Sequence, residues 1–176
     1  MAFNRAAAIT KHPATIVGTT ATVVALTATL LIHWEGTDLT AKHNSFDPRG
    51  VITVCNGRTN YDDPKLKAGM KFTADQCRGF LEQDIPKYEA MLETCVPNAN
   101  DMPPHRHAAF LSFTYNLGQG TVCKSSAVRY LNAGEIVAAC NAMTLYDKAN
   151  GVVLQGLKNR RTDRFWGERT WCLRND

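Results

Sequence analysis

At 176 residues and 44% hydrophobic composition, the chain can bury one substantial core but not two ordinary domains plus a tail, which excludes a multidomain reading. A formal charge of +4 gives a mildly basic surface, suited to anionic partners such as wall polymer, phospholipid headgroups or nucleic acid without choosing among them. Six cysteines, with no CxxC pair and no histidine at ligand spacing, leave a zinc site unsupported.

The first element is an uncharged run of twenty residues, Pro13 to Ile32. As a helix rising ~1.5 Å per residue it would cover the roughly 30 Å hydrocarbon thickness of a bilayer. Arg5, Lys11 and the amino terminus lie upstream, and no acid precedes Glu35, so the positive-inside rule puts the N-terminus in the cytoplasm and everything after His33 outside. The span is weak. Its strongly apolar residues (Ile16, Val17, Val23, Val24, Leu26, Leu30, Leu31 and Ile32) supply roughly −2 to −5 kcal/mol of insertion preference, which six threonines and Gly18 erode. A segment so near balance is expected to be translocated, held and later released. Two other readings stand beside it: a cleaved secretory signal, although no Ala-x-Ala follows the run, and a buried helix of a soluble protein.

Residues 36–63 are dense in Gly, Pro, Asn and Asp, and the β-branched run Val51-Ile52-Thr53-Val54 predicts a short hairpin or small sheet. Helices dominate the rest. Thr73-Ala74-Asp75-Gln76 reads as a capping box opening a helix through Leu81 to Leu92, with Pro86 ending it or standing in the first turn of a successor. Pro103-Pro104 opens a helical run, His107 to Leu117, that Gly118 stops. Further helical patterns cover Ser125 to Asn132, Glu135 to Met143 and Asn159 to Leu173. In the last stretch Lys158, Arg160, Arg161, Arg164, Arg169 and Arg174 interleave with Asp163 and Glu168, a solvated face, with contact to anionic wall or membrane as the other reading. The fold class expected is α+β, mainly α, with a small β element before a helical body. The even set Cys55, Cys77, Cys95, Cys123, Cys140 and Cys172 suggests disulfides and an oxidising compartment, against the alternative of six reduced core thiols. Sequence alone leaves fifteen connectivities open.

Glycoside hydrolysis needs a protonated carboxylic acid at the leaving oxygen and a second carboxylate, or a held water, across the sugar. Glu35 follows the apolar run beside Trp34, where burial against apolar groups would raise its pKa and suit it to be the acid. Asp47 lies in the polar turn Ser45-Phe46-Asp47-Pro48-Arg49-Gly50, where Arg49 would keep it ionised as a base or water-holder. Thr53, on the short strand, could orient the same water. Taken alone, an acid in such a turn is more often a solvated turn-former. Tyr115 and Asn116 are expected to brace the central helix against the cleft floor, and His105 and His107 lack a metal-ligand partner at suitable spacing.

The motif Glu35-Gly36, Asp47, five residues, then Thr53 resembles the catalytic lip of the phage-type lysozymes, glycoside hydrolase family 24. The segment Gly50 to Thr59 is similar to that family's strand and glycine-containing turn. Ala109 to Gly118 resembles its central core helix, and Gly156-Leu157-Lys158-Asn159-Arg160-Arg161 its last helix entry. The likeness covers residues 35–173. One departure is the gap of eleven residues between Glu35 and Asp47, three more than the family pattern, which leaves Asp38 as an alternative to Asp47 at the cleft.

The resemblance implies a lysozyme-like fold with a sheet-bearing lip and a helical lobe. It implies an endolysin hydrolysing the β-1,4 bond between N-acetylmuramic acid and N-acetylglucosamine of peptidoglycan, with Glu35, Asp47 and Thr53 as the catalytic set. It also implies disulfides Cys55–Cys77, Cys95–Cys123 and Cys140–Cys172, and no cofactor. The Ala/Thr/Gly-rich span resembles the signal-arrest-release leaders of a family subgroup. That resemblance divides the chain into a tethering segment, residues 1–34, and a catalytic domain, residues 35–176. The enzyme would be held inactive at the host inner membrane and later freed into the periplasm, as a monomer without a nucleic-acid partner. The rival readings are a lytic transglycosylase and a non-catalytic, membrane-anchored wall-binding module.

Overall fold

The uncharged N-terminal run ends in a helix of the folded body. In the computed structural model, which describes residues 20–44 and 50–174, helix α1 spans Ala21–Glu35. Thr20 starts it with extended backbone and a hydroxyl that accepts from the Val23 N–H at 3.3 Å. Val23, Ala28, Leu30 and Leu31 are buried and pack with α2 (Ala74–Glu93) and α3 (Pro104–Leu117). The Thr27 hydroxyl is buried on the same face with no hydrogen-bond partner among the described residues. Gly36 takes φ 67°, and its N–H caps back to the Ile32 carbonyl at 3.1 Å, so Glu35 is the last helical residue. Among the described residues no helix is long and apolar enough to cross a membrane.

The lip is a three-stranded antiparallel sheet in the order β1 (Asp38–His43), β2 (Ile52–Cys55), β3 (Arg58–Thr59). Lys42 stands opposite Thr53 and Asp38 opposite Cys55, with an irregularity between the two pairs. Thr53 is flanked on its other side by Thr59. Ala41, Val54, Cys55, Leu66 and Cys77 form a small core beneath this sheet, separate from the helical one, with Phe72 and Phe80 packed against it.

In the helical lobe the capping box forms as the sequence predicts. Thr73 Oγ1 accepts from the Gln76 N–H at 3.1 Å, and Gln76 Oε1 accepts from the Thr73 N–H at 2.8 Å. Pro86 does not end α2. The helix runs unbroken through it because Leu81, Ile85, Glu89 and Leu92 are all buried on one side, and that burial outweighs the roughly 3 kcal/mol a helix-interior proline costs. Helix α3 is almost entirely buried and stops at Gly118, φ 72°. The lobe is completed by α4 (Gln119–Val122), α5 (Ser126–Asn132) and α6 (Ile136–Ala142), then a tight hairpin, β4 (Lys148–Ala149) with β5 (Val152–Val153).

The pattern predicts one helix from Asn159 to Leu173, whereas the structure has α7 (Gln155–Thr162) and α8 (Glu168–Cys172). The break is local chemistry. Asp163 Oδ1 accepts from the Phe165 and Trp166 N–H groups, each at 2.8 Å, and folds the chain into a turn. Gly167 closes it: a Cβ there would lie 2.6 Å from the Asp163 nitrogen. Disulfides join Cys55 to Cys77 beneath the lip, Cys95 to Cys123, and Cys140 to Cys172.

Candidate active site

Two concavities meet at Glu35. One lies on the lip side and is lined by Glu35, Asp38, Thr53, Val54, Cys55 and Gly57. The other lies on the lobe side and is lined by Trp34, Glu35, Asn116, Leu154, Gly156, Leu157, Asn159 and Arg160. Glu35 thus stands where a groove between lip and lobe changes walls. Thr53 shares its lip wall. Asp47 lies outside the described residues. Asp38 lines the same cavity as Glu35 and Thr53, with its carboxylate 2.5 Å from Lys42 Nζ.

Glu35 was expected against apolar groups, and the structure differs. Its side chain is 28% exposed, and Oε1 accepts from Arg160 Nη1. The neighbour that matters is therefore a guanidinium. Arg160 is itself one link in a buried chain of charges. Its Nε donates to Glu168 Oε1 at 3.0 Å, and its Nη2 donates to the carbonyl and hydroxyl of Ser112 at 3.2 and 3.1 Å. Glu168, 0% exposed, also accepts from Arg161 Nη1 and from Ser112 Oγ at 2.7 Å. Arg161 continues to the Tyr146 carbonyl at 3.1 Å and to Asn116 Oδ1, and its guanidinium lies over the Phe113 ring. Arg160 and Arg161 are buried, not part of a solvated face, because two glutamates and a set of fixed acceptors compensate them. Burial works against the charge of both. For Arg160 that is outweighed by Glu168 and Glu35, which raise its pKa, whereas for Arg161 burial and its neighbour's charge outweigh Glu168 and Asp147, and its pKa stays lowered.

The lip is tied to the lobe by polar contacts. Asn56, in the turn after β2, donates from Nδ2 to the Gly36 carbonyl and to Thr37 Oγ1, the latter at 3.1 Å, so it holds the peptide that follows Glu35. The Tyr115 hydroxyl donates to the Asn56 carbonyl, which fixes the turn to α3. Gly57 is needed there: it takes φ 97°, and a Cβ would meet the Tyr115 hydroxyl at 3.1 Å. Arg58 pairs with Asp84 at 2.8 Å, and Lys87 with Asp62 at 3.3 Å, which anchors β3 and the turn after it to α2. Burial, aided by Asp62, Asp84 and Glu35, pushes the Tyr88 phenol up to about 12. Burial, with Tyr88 and Glu35, raises Tyr115 also.

Sequence reasoning placed Glu35, Thr53, Tyr115 and Asn116 near this groove but missed Arg160, Glu168, Ser112 and Asn56. Two adjacent charged residues carry no apolar periodicity, so nothing in the pattern marks them as buried. The only pointer was the likeness of Gly156 to Arg161 to a family block. His107 likewise carries a partner that spacing does not disclose, Glu89, at 2.7 Å in the lobe interior.

A family model described as phage lysozyme matches residues 32–164. The chain is 32% identical over 127 residues to a SAR-endolysin of bacteriophage PS119, covering 72% of this chain and 71% of that protein. It is 31% identical over 124 residues to a SAR-endolysin of Enterobacteria phage PA-2, covering 70% of each. Among solved structures, an endolysin from Escherichia coli O157:H7 phage FAHEc1 matches with TM-score 0.66 and 29% identity over 88% of this chain and 92% of that one. A mutant of P22 lysozyme matches with TM-score 0.70 and 27% identity over 89% and 99%.

Proposed function

Because the chain belongs to the phage lysozyme family, we propose that it is a bacteriophage endolysin that hydrolyses the β-1,4 bond between N-acetylmuramic acid and N-acetylglucosamine in peptidoglycan. The observation that carries this reading is the position of Glu35 at the junction of two concavities, with Thr53 on the same wall. Glu35 protonates the leaving glycosidic oxygen. Arg160 holds Oε1, which leaves Oε2 to present the proton. Asp47 and Thr53 are assigned the attacking water, which adds to the anomeric carbon from the face away from the leaving oxygen, so that carbon inverts. Muropeptide analysis of purified wall treated with wild type and Glu35→Gln tests the assignment. The expected result is hydrated reducing ends from wild type and near-complete loss with the variant. Anhydro-sugar ends would instead indicate a lytic transglycosylase, and unchanged lysis by Glu35→Gln a wall-binding module.

The N-terminal run tethers the enzyme to the host inner membrane in an inactive state, and release delivers it to the periplasm. What supports this is that Ile32 and the buried residues Val23, Leu30 and Leu31 belong both to that run and to α1, whose last residue is Glu35. While those residues are in lipid, the acid has no lobe to stand on. Dissipating the membrane potential should move the chain from the membrane to the soluble fraction as activity appears. A chain that stays in the membrane and never gains activity would refute the tether.

A further inference from the structure

We propose that Glu168 is a positioning residue for the catalytic acid: it does not reach the groove, but it fixes through Arg160 where the Glu35 carboxylate stands. The inference rests on the muramidase reading above and adds a residue to it.

A guanidinium is a rigid planar fork, so fixing two of its nitrogens fixes the direction of the third. Arg160 has Nε on Glu168 Oε1 at 3.0 Å and Nη2 on Ser112 O and Oγ at 3.2 and 3.1 Å, which leaves Nη1 aimed at Glu35. Four elements converge on this one group: α1 supplies Glu35, α3 supplies Ser112, α7 supplies both arginines and α8 supplies Glu168. Charge points the same way. Arg160 and Arg161 are adjacent buried cations, and Glu168 is the carboxylate that bridges them, with one oxygen to each. Without it the two guanidiniums would repel and compete for the remaining acceptors, of which Glu35 is the one at the groove. The turn at Asp163 and Gly167 exists at the right place to bring Glu168 back under Arg160, which an unbroken helix through residue 168 would not do.

The test is a double-mutant cycle on purified full-length enzyme, with peptidoglycan turnover normalised to folded protein by near-ultraviolet circular dichroism. Glu168→Gln should lower kcat by about 10²-fold with KM within about 2-fold, since the loss is of acid placement and not of glycan binding. In an Arg160→Gln background the same change should cost little more, because Glu168 acts through Arg160. An unchanged kcat in the single variant, or losses that multiply in the double, would overturn the inference and reduce Glu168 to a stabilising residue. If Glu168→Gln does not fold, Ser112→Ala takes its place. That variant removes the hydroxyl shared by Glu168 and Arg160 while leaving every charge, and should lower kcat by about 10-fold, again without adding to Arg160→Gln. Full turnover by a folded Ser112→Ala would overturn the proposal. Wild-type enzyme that released no muropeptides would sink the muramidase reading and this inference together, whereas wild-type release with undiminished Glu168→Gln turnover would sink this one alone.

Discussion

Tyr88, its ring 4.7 Å from that of Tyr115, titrates well above its ordinary range. Its phenol is raised from the ordinary 10.0 to about 12, first by burial and then by Asp62, Asp84 and Glu35. A group whose folded pKa is raised contributes stability that is fully present below the unfolded value and is lost as pH rises through the folded one. The enzyme should therefore lose stability between pH 10 and about 12, and Tyr88→Phe should flatten that limb in urea midpoints measured against pH. An equally steep limb in the variant would assign it to other groups. Residues at this scale were legible in sequence where their chemistry is local: Glu35 ends the apolar run, Thr53 sits in a β-branched run, and the two line one cavity. Arg160 and Glu168 were not, since what buries a charge is a partner from another element, and no spacing along the chain records that partner.

At the scale of elements, signals that act within four residues survive into the fold and signals that compete with packing do not. The Thr73 capping box, the Pro103-Pro104 start and the Gly118 stop of α3 all form as read. Pro86 fails as a stop because Ile85 and Leu92 need the helix to continue. The Asn150-Gly151 turn, with φ 51° and 79°, is a two-residue hairpin signal, but its strands are only two residues long and so show no alternation in the sequence. The break between α7 and α8 depends on Gly167 for space and not for backbone freedom, since its φ of −65° suits any residue. Gly167→Ala should therefore destabilise by about 1–3 kcal/mol through its clash with the Thr162–Asp163 backbone, as read by urea denaturation. A variant within experimental error of wild type would mean that the turn yields at little cost.

For the molecule as a whole, two cores meet at the groove: a small one under the sheet and a large one in the lobe. The lip core is closed by Cys55–Cys77, and Cys95–Cys123 and Cys140–Cys172 hold the lobe. With sequence separations of 22, 28 and 32, each bridge contributes about 3 to 4 kcal/mol in the chain-entropy model. The general plan of lip and helical lobe was legible from turn density and helical periodicity. That α1 is a wall of the lobe was legible only as one of three readings of the run, since a segment apolar on every side fits lipid and protein interior alike.

Thr27 shows what that double fit requires. Its hydroxyl is buried in the lobe without a partner among the described residues, so a valine of the same shape should strengthen the folded enzyme by about 1 kcal/mol, measurable in urea. Under the proposed tether, the same valine should also make the run greasier and slow its departure from the bilayer, an effect that a fractionation time course would reveal. An unchanged urea midpoint would mean that the orphan hydroxyl costs nothing. At this position the best residue for resting in lipid and the best for the working enzyme coincide, and the chain has neither. Under the proposed tether, a threonine here weakens the run's hold on lipid at the cost of a small loss in the finished lobe, so readiness to depart is set against the stability of what is reached.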